Sequence, residues 1–225
     1  MKWKIKNQLV LLLLMLAVVP LTAQEITADL DAFREIKTFS GIEVQVYTSE
    51  KNRIEITGHS KEKVKFEVVE NRLEIRLPID NIWSKDNTLI KVYGNSFEII
   101  DANEGSLVEV DGKITGKNLI FRAQEGATIE AEVDADKVQA KAVSGGSITL
   151  SGKADKQDSE ANTGGKYHAR DLKTKESIIS VSTAGRAEVY ATDYCKATAK
   201  LGGVVELYGR PKEVDQKTSL GGKIL

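Results

Sequence analysis

The sequence predicts an all-β protein: a right-handed parallel β-helix of rungs of about 19–21 residues, closed at its N-terminal end by a β-rich capping layer. Three observations predict it. A short unit recurs seven times, beginning at Ala102, Ala123, Ala142, Ala161, Val181, Ala199 and Thr218. Each copy ends on a small hinge residue, and the hinges Gly105, Gly126, Gly145, Gly164, Ala184, Gly202 and Gly221 are spaced 21, 19, 19, 20, 18 and 19 residues apart. An alternating pair follows nearly every hinge: Val108/Val110, Ile129/Ala131, Ile148/Leu150, Tyr167/Ala169, Ala187/Val189 and Val205/Leu207, with Ile224 closing the series. Alternation at period two marks a strand with one buried face. A second alternating run precedes the hinges, as in Leu119/Phe121/Ala123, Val138/Ala140/Ala142 and Cys195/Ala197/Ala199. A two-stranded unit of this size cannot bury its apolar face alone, whereas stacked copies bury a continuous core. The right hand follows the rule for parallel crossovers. A β-sandwich would also fit short, closely spaced strands, but would not require phased hinges.

Residues 1–23 read as a secretory signal. Lys2, Lys4 and Lys6 form a basic start, Leu9–Val19 an apolar run of 11 residues, and Leu21-Thr22-Ala23 a cleavage site. A spanning helix needs about 20 apolar residues. No cysteine follows the run, so a lipid anchor is not expected, and no second membrane segment is present. Residues 24–95 form the cap. Phe33, Ile36 and Phe39 carry a weak helical spacing. Strand alternation then begins with Ile42/Val44/Val46 and continues through Ile54/Ile56, Val64/Phe66/Val68 and Leu73/Ile75/Leu77, with a hairpin turn at Glu70-Asn71. This part shows no glycine hinge. The polar stretch 78–88 reads as a loop around Trp83. Residues 96–225 carry the helix repeats, and no Pro/Ser-rich linker separates them from the cap.

Without the three signal lysines, 29 basic residues face 33 acidic ones, a net charge of −4. That balance argues against a nucleic-acid partner, which calls for a basic footprint. The single cysteine, Cys195, lies in the inward phase and reads as a buried small hydrophobe. The two histidines, His59 and His168, have no metal-ligand spacing with it. No Gly-rich loop precedes a helix with the Lys-Ser/Thr of a phosphate cradle.

Phe33-Arg34-Glu35-Ile36, Gly41-Ile42-Glu43-Val44-Gln45-Val46 and Asn71-Arg72-Leu73-Glu74-Ile75 resemble the start of the autotransporter adhesin "head GIN domain" family of secreted Bacteroidetes-type proteins. The corners Ser144-Gly145-Gly146 and Asn162-Thr163-Gly164-Gly165, and the ending Leu207-Tyr208-Gly209-Arg210-Pro211 with Leu220-Gly221-Gly222-Lys223-Ile224, are similar to its later motifs. The resemblance spans residues 33–225. It implies a β-helix and export, and supplies no catalytic residues. Asn103-Glu104, Gln124-Glu125 and Lys200-Leu201 stand where the family's corners carry serine.

Between the paired core residues runs an outward column: Glu109, Glu130, Thr149, His168, Glu188, Glu206. Stacked like charges repel, so the column calls for compensation. Lys166 and Arg186 would make it a solvated, balanced face. A weak Ca²⁺ site at Glu109/Glu130 or Glu188/Glu206 is the sharper reading, since hard cations take carboxylate oxygens. Asp155, Asp158 and Glu160, with Lys141 and Arg122 beneath, form the one cluster with the composition of a glycoside-cleaving site; the same cluster arises by chance in a chain this charged. Tyr190 and Tyr208 occupy equivalent outward positions in adjacent rungs, as a structural ladder or a platform for a sugar ring. With Trp83 they are the candidate contact residues.

The function these features support is a noncatalytic, exported, adhesin-like protein, periplasmic, secreted or held at the outer surface, presenting its sheets to a polysaccharide or an envelope protein. No cofactor beyond weak Ca²⁺ is expected. The alternatives are a polysaccharide lyase or hydrolase of the β-helix type, and a structural envelope protein that self-assembles as a homo-oligomer.

Overall fold

The computed structural model describes residues 25–78 and 88–225. The expected signal segment and Trp83 lie outside the described residues. The chain is a parallel β-solenoid of about seven turns, with its strands joined in one continuous sheet.

Four long strands each carry a whole rung: β9 (Leu107–Ala123), β10 (Thr128–Val143), β11 (Ser147–Asn162) and β12 (Lys166–Ser182). They pair in parallel, each with the next. The inward phase of β10 runs through Ile129, Ala131, Val133 and Ala135, slips by one residue at Asp136–Lys137, and resumes at Val138, Ala140 and Ala142. That slip is the bend that lets one strand enclose a core. Later turns divide into β13 (Arg186–Tyr190), β14 (Tyr194–Lys200), β15 (Val204–Tyr208), β16 (Glu213–Ser219) and β17 (Lys223–Ile224). The predicted pairs stack in register, so that one column runs Val108, Ile129, Ile148, Tyr167, Ala187, Val205, Ile224. Burying such columns against each other is the main stabilising term, at about 25 cal/mol per Å² of apolar surface.

The hinges are two-residue turns with positive φ at both central positions, the geometry of a type I′ turn. At Ser144 (φ 50°) and Gly145 (φ 78°), the Gly146 N–H donates to Val143 O at 2.9 Å and closes the turn. The Gly145 N–H donates to Thr163 O of the next rung at 3.0 Å. The second glycine of the pair answers to a different constraint: a Cβ on Gly146 would sit 2.1 Å from Ala123 O of the preceding rung. The uneven hinge spacing also has a structural cause. Between Glu109 and Lys113, strand β9 sets three residues against the single Ala131, and β12 sets Ala169 and Arg170 against the single Leu150. These bulges account for the rungs of 21 and 20 residues.

The cap differs from expectation in two places. Residues 33–39 are extended, not helical: β2 (Glu35–Thr38) buries Ile36 and Thr38 by strict alternation. Phe33 packs on Phe97, ring centroids 6.1 Å apart. The hinge series also begins a turn earlier, at Ser40 and Gly41, both at φ 66°, which lead into β3 (Glu43–Thr48). Then come β4 (Arg53–Thr57), β5 (Lys65–Val69), β6 (Arg72–Arg76), β7 (Leu89–Gly94) and β8 (Ile99–Ala102). The expected hairpin at Glu70-Asn71 joins β5 and β6. The first strand, β1 (Ile26–Asp29), pairs antiparallel with β4, and β4 antiparallel with β7. These antiparallel strands cover the first turn of the core and shield its edge.

Candidate functional site: the polar face and its grooves

The outward column predicted from Glu109 to Glu206 is real. Parallel register places Gln45, Glu109, Glu130, Thr149, His168, Glu188 and Glu206 side by side across successive turns. Its charges are relieved differently from the expectation. Among the described residues Lys166 and Arg186 form no ion pair. Instead the His168 Nδ1 lies 3.2 Å from Glu188 Oε1, and the Tyr208 hydroxyl donates to Glu206 Oε2 at 2.9 Å. The bond to Glu206, with burial second, raises the Tyr208 phenol above its ordinary value. A histidine and a phenol can sit within the column, whereas a long lysine or arginine gains more from solvent.

Glu109 and Glu130 are left facing an open groove of about 440 Å³ that they share with Gln45, Tyr47, Thr149 and Ser151. The recess lies at the bulge in β9 between Glu109 and Lys113, whose residues Val110 and Asp111 also line it. Glu132, on the same wall, is neutralised by Lys113 at 3.0 Å. The Tyr47 hydroxyl donates to Gln45 Oε1 at 2.9 Å. The Tyr47 ring stacks on Tyr93, with centroids 5.2 Å apart and planes inclined by 20°. Tyr47 was not among the sequence candidates. Its signal was nevertheless present: Tyr47 and Tyr93 directly follow Val46 and Val92, as Tyr190 and Tyr208 follow Val189 and Leu207. With respect to metal, no group of three or more His, Cys, Asp or Glu side chains converges among the described residues.

Tyr190 and Tyr208 are neighbours in register, as expected. Each ring carries a cation: Lys173 Nζ lies 4.1 Å from the Tyr190 centroid, and the Arg170 guanidinium 4.6 Å from that of Tyr208. Tyr190 also borders a second groove of about 370 Å³. Its wall is held by the ion pairs Lys153–Asp134 at 3.2 Å and Lys175–Asp155 at 2.7 Å. The Tyr93 phenol is raised mainly by burial and then by its bond to Glu55.

The cluster Asp155, Asp158 and Glu160 is divided by the bend. The inward phase of β11 passes from Ala154 to Gln157, which turns Asp155 toward the second groove. Asp158 and Glu160 line a shallow recess of about 210 Å³ with Arg122 and Lys141, and Lys141 holds Glu160 at 3.4 Å. Cys195 is buried, and burial pushes its thiol up to about 11. A thiol so placed is a poor nucleophile at neutral pH.

Known structures share the architecture. A putative adhesin from Bacteroides fragilis superposes with a TM-score of 0.78 at 17% identity, covering 90% of this chain and 97% of that one. A putative adhesin from Parabacteroides distasonis gives 0.71 at 21%, covering 89% and 95%. A putative lipid binding protein from the same organism gives 0.68 at 13%, covering 89% and 95%. At these identities the likeness is one of fold. No match was found among curated proteins. Residues 32–211, from the cap to the penultimate turn, match the family described as "Putative auto-transporter adhesin, head GIN domain", and on that match the chain belongs to this family.

Proposed function

We propose that the protein is an exported, noncatalytic adhesin-like module that binds a polysaccharide in the groove beside Tyr47. The observation that carries this reading is the composition of that recess: an aromatic ring next to Gln45, Glu109, Glu130 and Thr149, at a bulge in the sheet. Carboxylates and amides accept and donate the hydrogen bonds that sugar hydroxyls require, and a ring edge or face covers the apolar side of a pyranose. The uncompensated pair Glu109/Glu130 favours neutral or amino sugars over polyuronates, because like charges oppose entry. Tyr190 and Tyr208, further along the same face, extend the contact for a longer polymer. A Ca²⁺ ion bridging Glu109 and Glu130 would admit an acidic polymer instead.

The test is retention of the chain on a panel of neutral, amino and acidic polysaccharides, with and without calcium, while released reducing ends and unsaturated products are followed. Retention on a neutral or amino polymer without cleavage is the expected outcome. Tyr47→Ala should weaken it about tenfold or more, a loss of one aromatic contact. Cleavage of any polymer would replace this reading with an enzymatic one. Failure of every polymer to retain the protein would remove the glycan reading altogether.

A further inference from the structure

One edge of the solenoid changes chemistry along its length. The first central residues of the hinge turns are, in order, Ser40, Glu104, Glu125, Ser144, Thr163, Thr183, Leu201 and Leu220, and all but the buried Ser40 are exposed. All have φ between 48° and 66°. Acidic and hydroxyl side chains are ordinary occupants of an exposed turn. Leucine is not: a bulky residue in the left-handed region is rare and strained. Leu201 and Leu220 are nonetheless 52% and 74% exposed. They lie on adjacent turns, locked by the Gly202 N–H donating to Leu220 O at 3.1 Å. The fold therefore holds two leucines out into solvent at neighbouring corners, in a conformation that glycine or asparagine would adopt at lower cost.

The charged residues nearest to them along the chain are basic. Lys200 precedes Leu201 directly, and Lys217 and Lys223 flank Leu220. Lys166, Arg186 and Lys223 occupy the first outward position after the turn in three of the last four turns, in register across β12, β13, β15 and β17. Lys166, Arg186, Lys200, Lys217 and Lys223 are exposed and form no ion pair among the described residues. The nearby carboxylates Glu188 and Glu206 are already engaged, by His168 and by the Tyr208 hydroxyl. Among the described residues fourteen other cations sit within 4.0 Å of a carboxylate, and further unpaired ones such as Lys51 and Lys117 are exposed elsewhere; this edge differs in setting its unpaired cations beside two exposed leucines.

We infer that this edge docks on an anionic lipid bilayer, with Leu201 and Leu220 entering the interface and Lys200, Lys217, Lys223 and Arg186 meeting the headgroups. The pattern is that of interfacial anchoring, in which a small apolar insertion and a basic surround act together. A protein partner with an acidic rim would fit the charge but has no need of strained leucines at two corners. The edge is separate from the groove beside Tyr47, so the two assignments stand or fall independently.

The test is co-sedimentation of the protein with vesicles of phosphatidylcholine alone and of phosphatidylcholine with roughly one third phosphatidylglycerol, an anionic content that gives a substantial negative surface potential. Wild type should pellet with the anionic vesicles, and salt should weaken binding as counter-ions screen the lysines. Leu201→Asn/Leu220→Asn should reduce the partition coefficient about tenfold or more while retaining the thermal transition, since asparagine suits the turn. Lys200→Gln/Lys223→Gln should remove the preference for anionic lipid. The inference is overturned if wild type does not pellet with anionic vesicles, or if the leucine variant pellets equally well. A leucine variant that changes the sedimentation of the lipid-free protein, without vesicle binding by wild type, would assign the edge to self-association instead.

Discussion

Two buried titratable residues connect this core to pH. Cys195 is fully buried opposite Ser177 in the ladder between β12 and β14, and burial lifts its thiol to about 11 from the ordinary 9.0. Tyr167 fills the core column between Ile148 and Ala187, and burial raises its phenol far above the ordinary 10.0. Both groups are acids whose neutral form the fold prefers. Between pH 9 and 11 the unfolded chain has released the thiol proton while the folded chain still holds it. Stability therefore falls as pH rises through that window, by about 1.4 kcal/mol per unit from this group. Tyr167 acts in the same direction above pH 10. Urea midpoints measured from pH 7 to 10.5 should decline above pH 9, and Cys195→Ala should flatten the decline between pH 9 and 10. Parallel decline in both proteins would show that the thiol stays accessible to base. Tyr167 also donates to Gln157 Oε1 at 3.0 Å, and Gln157 Nε2 donates to Thr174 Oγ1 at 3.1 Å and Tyr190 O at 3.0 Å. The network gives the buried amide a partner for each end, which an apolar core could not.

At the scale of the element, the turn explains why two adjacent glycines recur. Gly145 is selected by dihedral angle and Gly146 by contact. Gly145→Ala meets only a φ of 78°, a cost of about 1–2 kcal/mol. Gly146→Ala carries no such dihedral cost but must move its Cβ away from Ala123 O at 2.1 Å, so the rungs must part. Thermal denaturation should rank the second variant as clearly the worse, by about 2 kcal/mol or more. Equal losses would mean that the rungs separate freely at this corner. The same physics explains how much of the solenoid was legible. From Gly105 to Gly221 the period is short and the alternation strict, so rungs, inward residues and the Glu109–Glu206 column could be read directly. The Ser40–Gly41 hinge was hidden because β4, β5, β6 and β7 intervene before the next hinge and break the period. Without that phase Tyr47 could not be placed beside Glu109, although their register is direct through the next position, Gln45. The bulge at the groove appeared only as a rung two residues longer than its neighbour, a signal of length with no direction.

Across the whole molecule the two ends are unequal. The N-terminal end is covered by β1, β4, β5 and β7, whose side chains close over a core that begins with Ile36, Ile54, Ile56 and Ile75, all fully buried. At the other end β16 is exposed along nearly its whole length, and Val214, Leu220 and Leu225 are among the few exposed large apolar residues of those described. In a stacked array each turn contacts its neighbours alone, so the loss of an end turn removes one interface and leaves the remainder intact. Shortening the chain after Gly209 deletes β16 and β17, and should leave a soluble protein with one cooperative transition. At this size its Tm should fall by roughly 5–10 °C, given about 2–4 °C per kcal/mol. Removing residues 25–102 instead would expose the faces of Val108, Phe121 and Ala123 that β3 and β8 now cover. It would also leave β9 as a long unprotected edge, a template for further pairing. That shorter protein should aggregate on expression or on refolding, as light scattering would show. If it proved as soluble and cooperative as the chain shortened after Gly209, the antiparallel strands would have no capping role, and the repeats alone would suffice to close their own edge.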